Sequence, residues 1–177
     1  MMRIVAWLTA CLIVALPVEA GTDHRLAAAK ARADEVGHAL LSEDFDRVVD
    51  LTYPKVVEAM GGRAQMVQVL TNGMQEMRSH DIRYQSVRLQ MPSAIERGGS
   101  EWFTIVPETI VLTAPTGRVT QPSFLIGISP DDGKTWTFID GGNLNPMRLQ
   151  AVLPAFPASI KLPEKQPPTV ERTAPAP

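Results

Sequence analysis

The chain is expected to be an α+β protein, with N-terminal helices packed on a curved four-stranded antiparallel sheet. Three observations lead there. Apolar residues recur at intervals of three and four as far as Ser79, and from Asp81 onward Val, Ile, Thr and aromatic residues dominate. The loops within this later half are short, and short loops join antiparallel neighbours. Helices first and strands after them is the order of an α+β domain.

Residues 1–20 have the three parts of a secretory signal: Arg3, an apolar run from Ile4 to Leu16, and the small-residue site Val18-Glu19-Ala20. The run falls short of the roughly twenty residues of a permanent span, and Pro17 breaks it. Leu8-Thr9-Ala10-Cys11 matches the pattern before a lipid-modified cysteine. However, the chain stays apolar after Cys11, where such proteins turn polar, so cleavage after Ala20 is preferred. The expected product is an exported, periplasmic or secreted, protein with no stable membrane span.

Leu26, Ala29, Ala33, Val36 and Leu40 form one stripe on a first helix ending near Ser42. Asp44 can cap a second helix carrying Phe45, Val48 and Val49, which Tyr53-Pro54 interrupts before Val56, Val57 and Met60; Gly61-Gly62 ends that piece. A further helix from Arg63 to Ser79 carries Met66, Val67, Leu70, Met74 and Met77 on one face, and its internal Gly73 suggests a close backbone approach.

Strands are expected over Ile82–Met91, Glu101–Ala114, Arg118–Ser129 and Lys134–Asp140. A loose loop at Glu96–Ser100, a tight one at Pro115-Thr116-Gly117 and a third at Pro130–Gly133 separate them. Asn145-Pro146 has the form of a helix start, from which Met147, Leu149, Val152 and Leu153 could dock. The domain is bounded at 21–162. Residues 163–177, with five prolines and little apolar mass, read as a disordered tail.

The formal charge is −2, and removing Arg3 and Glu19 with the leader leaves it unchanged. No Lys/Arg stripe is present, which argues against nucleic acid as a partner. Cys11 is the single cysteine, so the mature chain has no disulfide, thiolate metal site or cysteine nucleophile. The three histidines form no His-x-x-x-His pair, and no phosphate-cradling loop, dinucleotide fingerprint or Gly-x-Ser-x-Gly motif is present. Neither a cofactor nor a metal is expected. Met74, Met77 and His80 suggest a soft-metal series, but on a helix Met74 and His80 diverge by about 120°, which favours core methionines.

The order of elements, with Tyr53 to Gly62 set between two helices, resembles the NTF2-like superfamily of cystatin-like α+β cones over roughly His24 to Asp140. The resemblance implies a bent sheet curled around a long helix to form a conical pocket. It also implies a range of roles, from isomerases and dehydratases to non-catalytic binding domains. Separately, Ser129-Pro130-Asp131-Asp132-Gly133-Lys134-Thr135-Trp136 looks like the Asp-box hairpin of sialidases. A single copy cannot make a propeller, so a structural role is preferred, in which Asp131 and Asp132 bond local N–H groups and Trp136 covers the turn.

If such a pocket exists, Tyr53, Trp102 and Trp136 are the candidate ligand-binding residues, and Glu108, Asp140 and Tyr53 the candidate catalytic ones. Each has a bland alternative. The aromatic residues can be core, and the acids can point to solvent from the other sheet face. Glu108 shares a face with Trp102, Val106 and Ile110, and an outward or rim position is preferred for it, because no histidine or second acid stands ready to complete a proton-transfer pair.

The preferred function is a non-catalytic exported domain that binds a small apolar ligand or an envelope protein, with a homodimer compatible. The alternatives are a cofactor-free isomerase or lyase with a carboxylate base, and a structural envelope module. Intact mass of the exported protein tests the leader: the mature chain should begin at Gly21, and lipidation at Cys11 or a retained Met1 would contradict it.

Overall fold

A computed structural model describes residues 24–142 and 144–172. The leader and the Ala20–Gly21 junction lie outside them. The elements are α1 (His24–Ser42), α2 (Phe45–Leu51), α3 (Pro54–Ala59), α4 (Arg63–Ser79), β1 (Arg83–Leu89), β2 (Ile95–Gly98), β3 (Glu101–Ala114), β4 (Gly117–Ser129), β5 (Thr137–Asp140), α5 (Pro146–Val152) and β6 (Thr169–Glu171). N-terminal helices pack on an open antiparallel sheet whose spine runs β1-β3-β4-β5, the four strands expected. None of the helices described is long and apolar enough to cross a membrane.

Two short strands extend the spine. Ile95–Gly98, expected in a loose loop, pairs with β3 as β2. Within the expected disordered tail, Thr169–Glu171 pairs with β4 as β6. Composition misses both for one reason: edge pairing is made by backbone N–H and C=O groups and needs no buried side chain.

The first helix sits close to the sheet because its contact stripe is small. Ala29 and Ala33 are fully buried, and Gly37 continues the line one turn further on. A Cβ at Gly37 would come within 2.9 Å of the Leu89 side chain and 3.3 Å of Val87. Gly37, then, is where backbone approach matters. Gly73, expected to serve that purpose, is exposed, and a Cβ added there would meet nothing within 4 Å.

The side chain of Asp44 accepts from Arg47 N at 3.0 Å and caps α2. Tyr53 N then donates to Phe138 O at 2.9 Å, beside a parallel bridge between Thr52 and Phe138, so the α2–α3 corner is pinned to β5. Arg63 reaches back from α4 to Asp46 and Asp50 on α2. These pairs are exposed and add little stability, but they fix the helix to its neighbour.

Both faces of the sheet are covered. Ala29, Ala33, Leu89, Val106, Leu125, Trp136 and Phe138 form the core beneath α1. On the other face Phe103, Phe124, Ile126 and Ile128 meet Leu149, Val152, Leu153 and Phe156 from α5 and the chain after it. Asn145 caps α5 through Arg148 N at 2.8 Å, as expected. Met147, expected to dock, is 83 % exposed instead.

The hairpin before β5 is held by its own side chains. Asp131 accepts from Thr135 N and Thr135 Oγ1, each at 2.8 Å, and from Ser129 Oγ at 2.9 Å. Gly133 N donates to Ser129 Oγ at 2.9 Å, and Trp136 Nε1 to Gly133 O at 2.9 Å. Asp132 does not bond the local backbone as expected. It turns outward to Arg25 on α1, 3.1 Å away. Burial pushes the Asp131 carboxyl up, and the hydrogen bonds from Thr135 and Ser129 outweigh that, holding it below its ordinary value. Gly133 has φ +80°, and a Cβ there would lie 2.6 Å from Arg25 Cγ. Asp131→Ala and Gly133→Ala should each lower the unfolding free energy by about 1 kcal/mol or somewhat more, read as a lower urea midpoint, with ligand binding retained; unchanged midpoints with lost binding would make the loop a functional site.

Candidate functional site

Between the helices and the far end of the sheet lies an apolar cavity of about 630 Å³, within the range of small-molecule sites. Its roof comes from Val36 and Leu40 of α1, Val48 and Leu51 of α2, and Met66 and Leu70 of α4. Val56 and Met60 from the α3 region and Ala151 and Val152 from α5 close the sides. Ile110, Leu125, Phe138 and Ile139 make the sheet wall.

Four ionisable side chains interrupt this lining: Tyr84 on β1, Glu108 on β3, Asp140 on β5 and Arg148 on α5. Glu108 is central. It stands opposite Leu89 of β1 and Ser123 of β4, so strands flank it on both sides, and it is only 6 % exposed. No side-chain hydrogen bond to its carboxyl is made among the described residues. Burial first, and the charge of Asp140 second, push its pKa up to about 7, with no cation among the described residues offsetting them. The outward or rim position expected for Glu108 is not the one it takes: parity along β3 was right, but the face it selects is the one the helices cover, and Glu108 stands in the cavity wall.

Asp140 also lines the cavity, while its exposed carboxylate accepts from Gly142 N at 2.8 Å. Two acids thus share one site, a juxtaposition that no single strand reveals. They belong to β3 and β5, with β4 between, and Asp140 pairs with Leu125 while Glu108 pairs with Ser123.

The three aromatic candidates lie elsewhere. Tyr53 is buried in the second core, where its hydroxyl donates to Glu101 Oε1 at 3.0 Å. Burial raises its pKa, and Lys55 stands 5.7 Å from its ring centre. Trp102 lies under Arg25 and Arg97, whose guanidinium carbons are 4.7 and 5.8 Å from its ring centre. Trp136 is 1 % exposed and seals the last hairpin. None of these three lines the cavity.

Tyr84 and Arg148 are the site residues that sequence reasoning missed. Alternation back from Leu89 and Val87 puts Tyr84 on the opposite face. The β1 register, however, slips between Tyr84 and Ser86, and Tyr84 pairs with Leu112. That one-residue bulge turns its ring onto the cavity side. Burial, then Glu108 and Asp140, raises its pKa, so it remains a neutral phenol at neutral pH. Arg148 lies one turn into α5, and the Asn145-Pro146 start was the signal that could have placed it. Its residue is exposed at the cavity edge.

Glu108 also borders a second cleft of about 300 Å³, where Pro163 to Gln166 cross β3 and β4. Among the described residues no group of three or more His, Cys, Asp or Glu is placed to hold a metal ion.

No family model and no curated protein matches the chain. Among solved structures it is similar to an LEH-like epoxide hydrolase of M. tuberculosis, at 19% identity and a TM-score of 0.36, over 64% of this chain and 77% of that one.

The Glu108 pKa sets the sign of a pH effect. With a folded-state pKa near 7 against an ordinary 4.5, the folded protein keeps a proton that the unfolded chain releases. Stability should therefore fall as pH rises from about 4.5 through about 7, by on the order of 3 kcal/mol in all. Urea titrations across this window should show the fall in the wild type and a flatter profile in Glu108→Gln. Parallel profiles would mean that Glu108 is solvated.

Proposed function

We propose that this is an exported, non-catalytic binding domain that holds one small, largely apolar molecule in the cavity between the helices and the sheet. One observation carries the reading: a cavity of small-molecule size whose apolar wall is interrupted by a largely buried glutamate, its carboxyl opening onto the cavity and making no side-chain hydrogen bond among the described residues. Filling the space removes apolar surface from water, at about 25 cal/mol per Å². The polar wall groups give the ligand its orientation. The NTF2-like resemblance supports a pocket in this position, and the leader pattern supports export.

Glu108 also favours a second reading, as a cofactor-free isomerase or lyase. A carboxyl near neutral pKa, beside a neutral tyrosine, can exchange a proton with a bound carbonyl compound. The structural envelope module has less to recommend it, since it has no use for an internal cavity.

Native mass spectrometry of protein taken from its own envelope should show a retained small molecule. An apolar fluorescent probe should bind the emptied protein, and Ile110→Trp, which grows into the cavity, should weaken that binding at least about tenfold while the protein stays folded. Probe binding unaffected by Ile110→Trp would place the ligand elsewhere. Turnover of an enolisable carbonyl compound that Glu108→Gln abolishes would replace the binding reading with the catalytic one.

A further inference from the structure

The two carboxylates of the cavity identify the kind of molecule it suits. Glu108 is more than nine-tenths buried, borders the cavity, and makes no side-chain hydrogen bond among the described residues. Such a group is costly to bury unless something charged or hydrogen-bonding meets it. The protein adds a second negative charge nearby, Asp140, on the same side of the sheet.

The rest of its surroundings supplies no compensation: Glu164 and Lys165, in the second cleft that Glu108 borders, are exposed and are not among the groups acting on it. α1, α2, α3 and α4 contribute apolar side chains and β1 contributes the phenol of Tyr84. Arg148 is the only cation in the lining among the described residues, lies at the exposed edge on α5, and is not among the groups acting on Glu108 or Tyr84. An anionic headgroup at Glu108 would face two like charges. A neutral one would leave Glu108 holding its proton beside Asp140, with no gain from either charge.

We propose that the cavity is selective for an apolar organic cation, a lipophilic amine whose ammonium group pairs with Glu108 in the field of Asp140 while its hydrocarbon part fills the space under α1, α2 and α4. The assignment rests on the small-ligand reading above and adds the charge of the ligand. A charge-assisted hydrogen bond in a water-poor site is stronger than its neutral counterpart. Tyr84 can accept from the same ammonium through its phenol oxygen. Pairing requires Glu108 to be ionised, so binding releases the proton that Glu108 otherwise holds.

Isothermal titration of the mature protein with dodecylamine, dodecanol and dodecanoate, below their aggregation limits, tests this. At about pH 8 the amine should bind at least about tenfold tighter than the alcohol, with the carboxylate weakest. Between about pH 8 and about pH 6 the amine's affinity should fall towards the alcohol's as Glu108 takes up its proton. Glu108→Gln should remove the amine's advantage over the alcohol with a cooperative unfolding transition retained, and Asp140→Asn, at an exposed residue, should reduce that advantage. Alcohol or carboxylate binding as tight as the amine's, or an amine advantage unchanged in both variants, would overturn the cation assignment and leave the small-ligand reading standing. Failure of all three compounds to bind would overturn both.

Discussion

The β3–β4 ladder is the constraint on which the rest of the molecule hangs. It runs without a break from Trp102 opposite Ser129 to Ala114 opposite Gly117. β1 and β2 both attach along β3, and β5 and β6 both attach along β4. In a ladder this long each residue's face is fixed by its parity, and a slip of one would exchange the two cores. Glu108 lies within it, with a strand on either side. The ladder therefore holds its side chain on the helical face, where the carboxyl opens onto the cavity rather than past a sheet edge.

The cavity exists because the helices do not cover that face evenly. Ala29, Ala33 and Gly37 let α1 settle onto Val87 and Leu89 at one end. Further along, Val36 and Leu40 stand at the cavity boundary, and the chain is then drawn to β5 by the hydrogen bond from Tyr53 N to Phe138 O. α2, α3 and α4 therefore arch over Glu108 and Ile110 instead of lying on them. A tightly packed interior has few voids larger than a water molecule. A space of about 630 Å³ in this position is thus a product of the helix arrangement and not of poor filling.

Much of this was legible in the sequence, for reasons that also explain the rest. The stripe on α1, the Asp44 cap, the Asn145-Pro146 start and the Asp131 hairpin are local signals, and local geometry carries them into the fold. Period-two alternation put Glu108, Val106 and Ile110 on one face. It could not say what covered that face, because cover is a long-range property. Tyr84 was hidden by a bulge that breaks alternation. Residues 169–171 were hidden because their pairing is made by backbone alone. Tyr53, Trp102 and Trp136 drew notice as large aromatics, and large aromatics serve a core as readily as a pocket.

The binding and proton-transfer readings draw on one energy. Desolvation that pushes the Glu108 carboxyl up to about 7 also makes it an effective base and a strong attractor of a cation. A neutral carbonyl ligand leaves that pKa high and so leaves the proton available for exchange. An ammonium ligand lowers it, fixes the carboxylate as an anion and removes the group from acid–base chemistry. Tyr84, kept neutral by burial and by the two acids, serves either case as a hydroxyl and neither as an anion. What the domain does with Glu108 is therefore decided by the charge its ligand brings into the cavity.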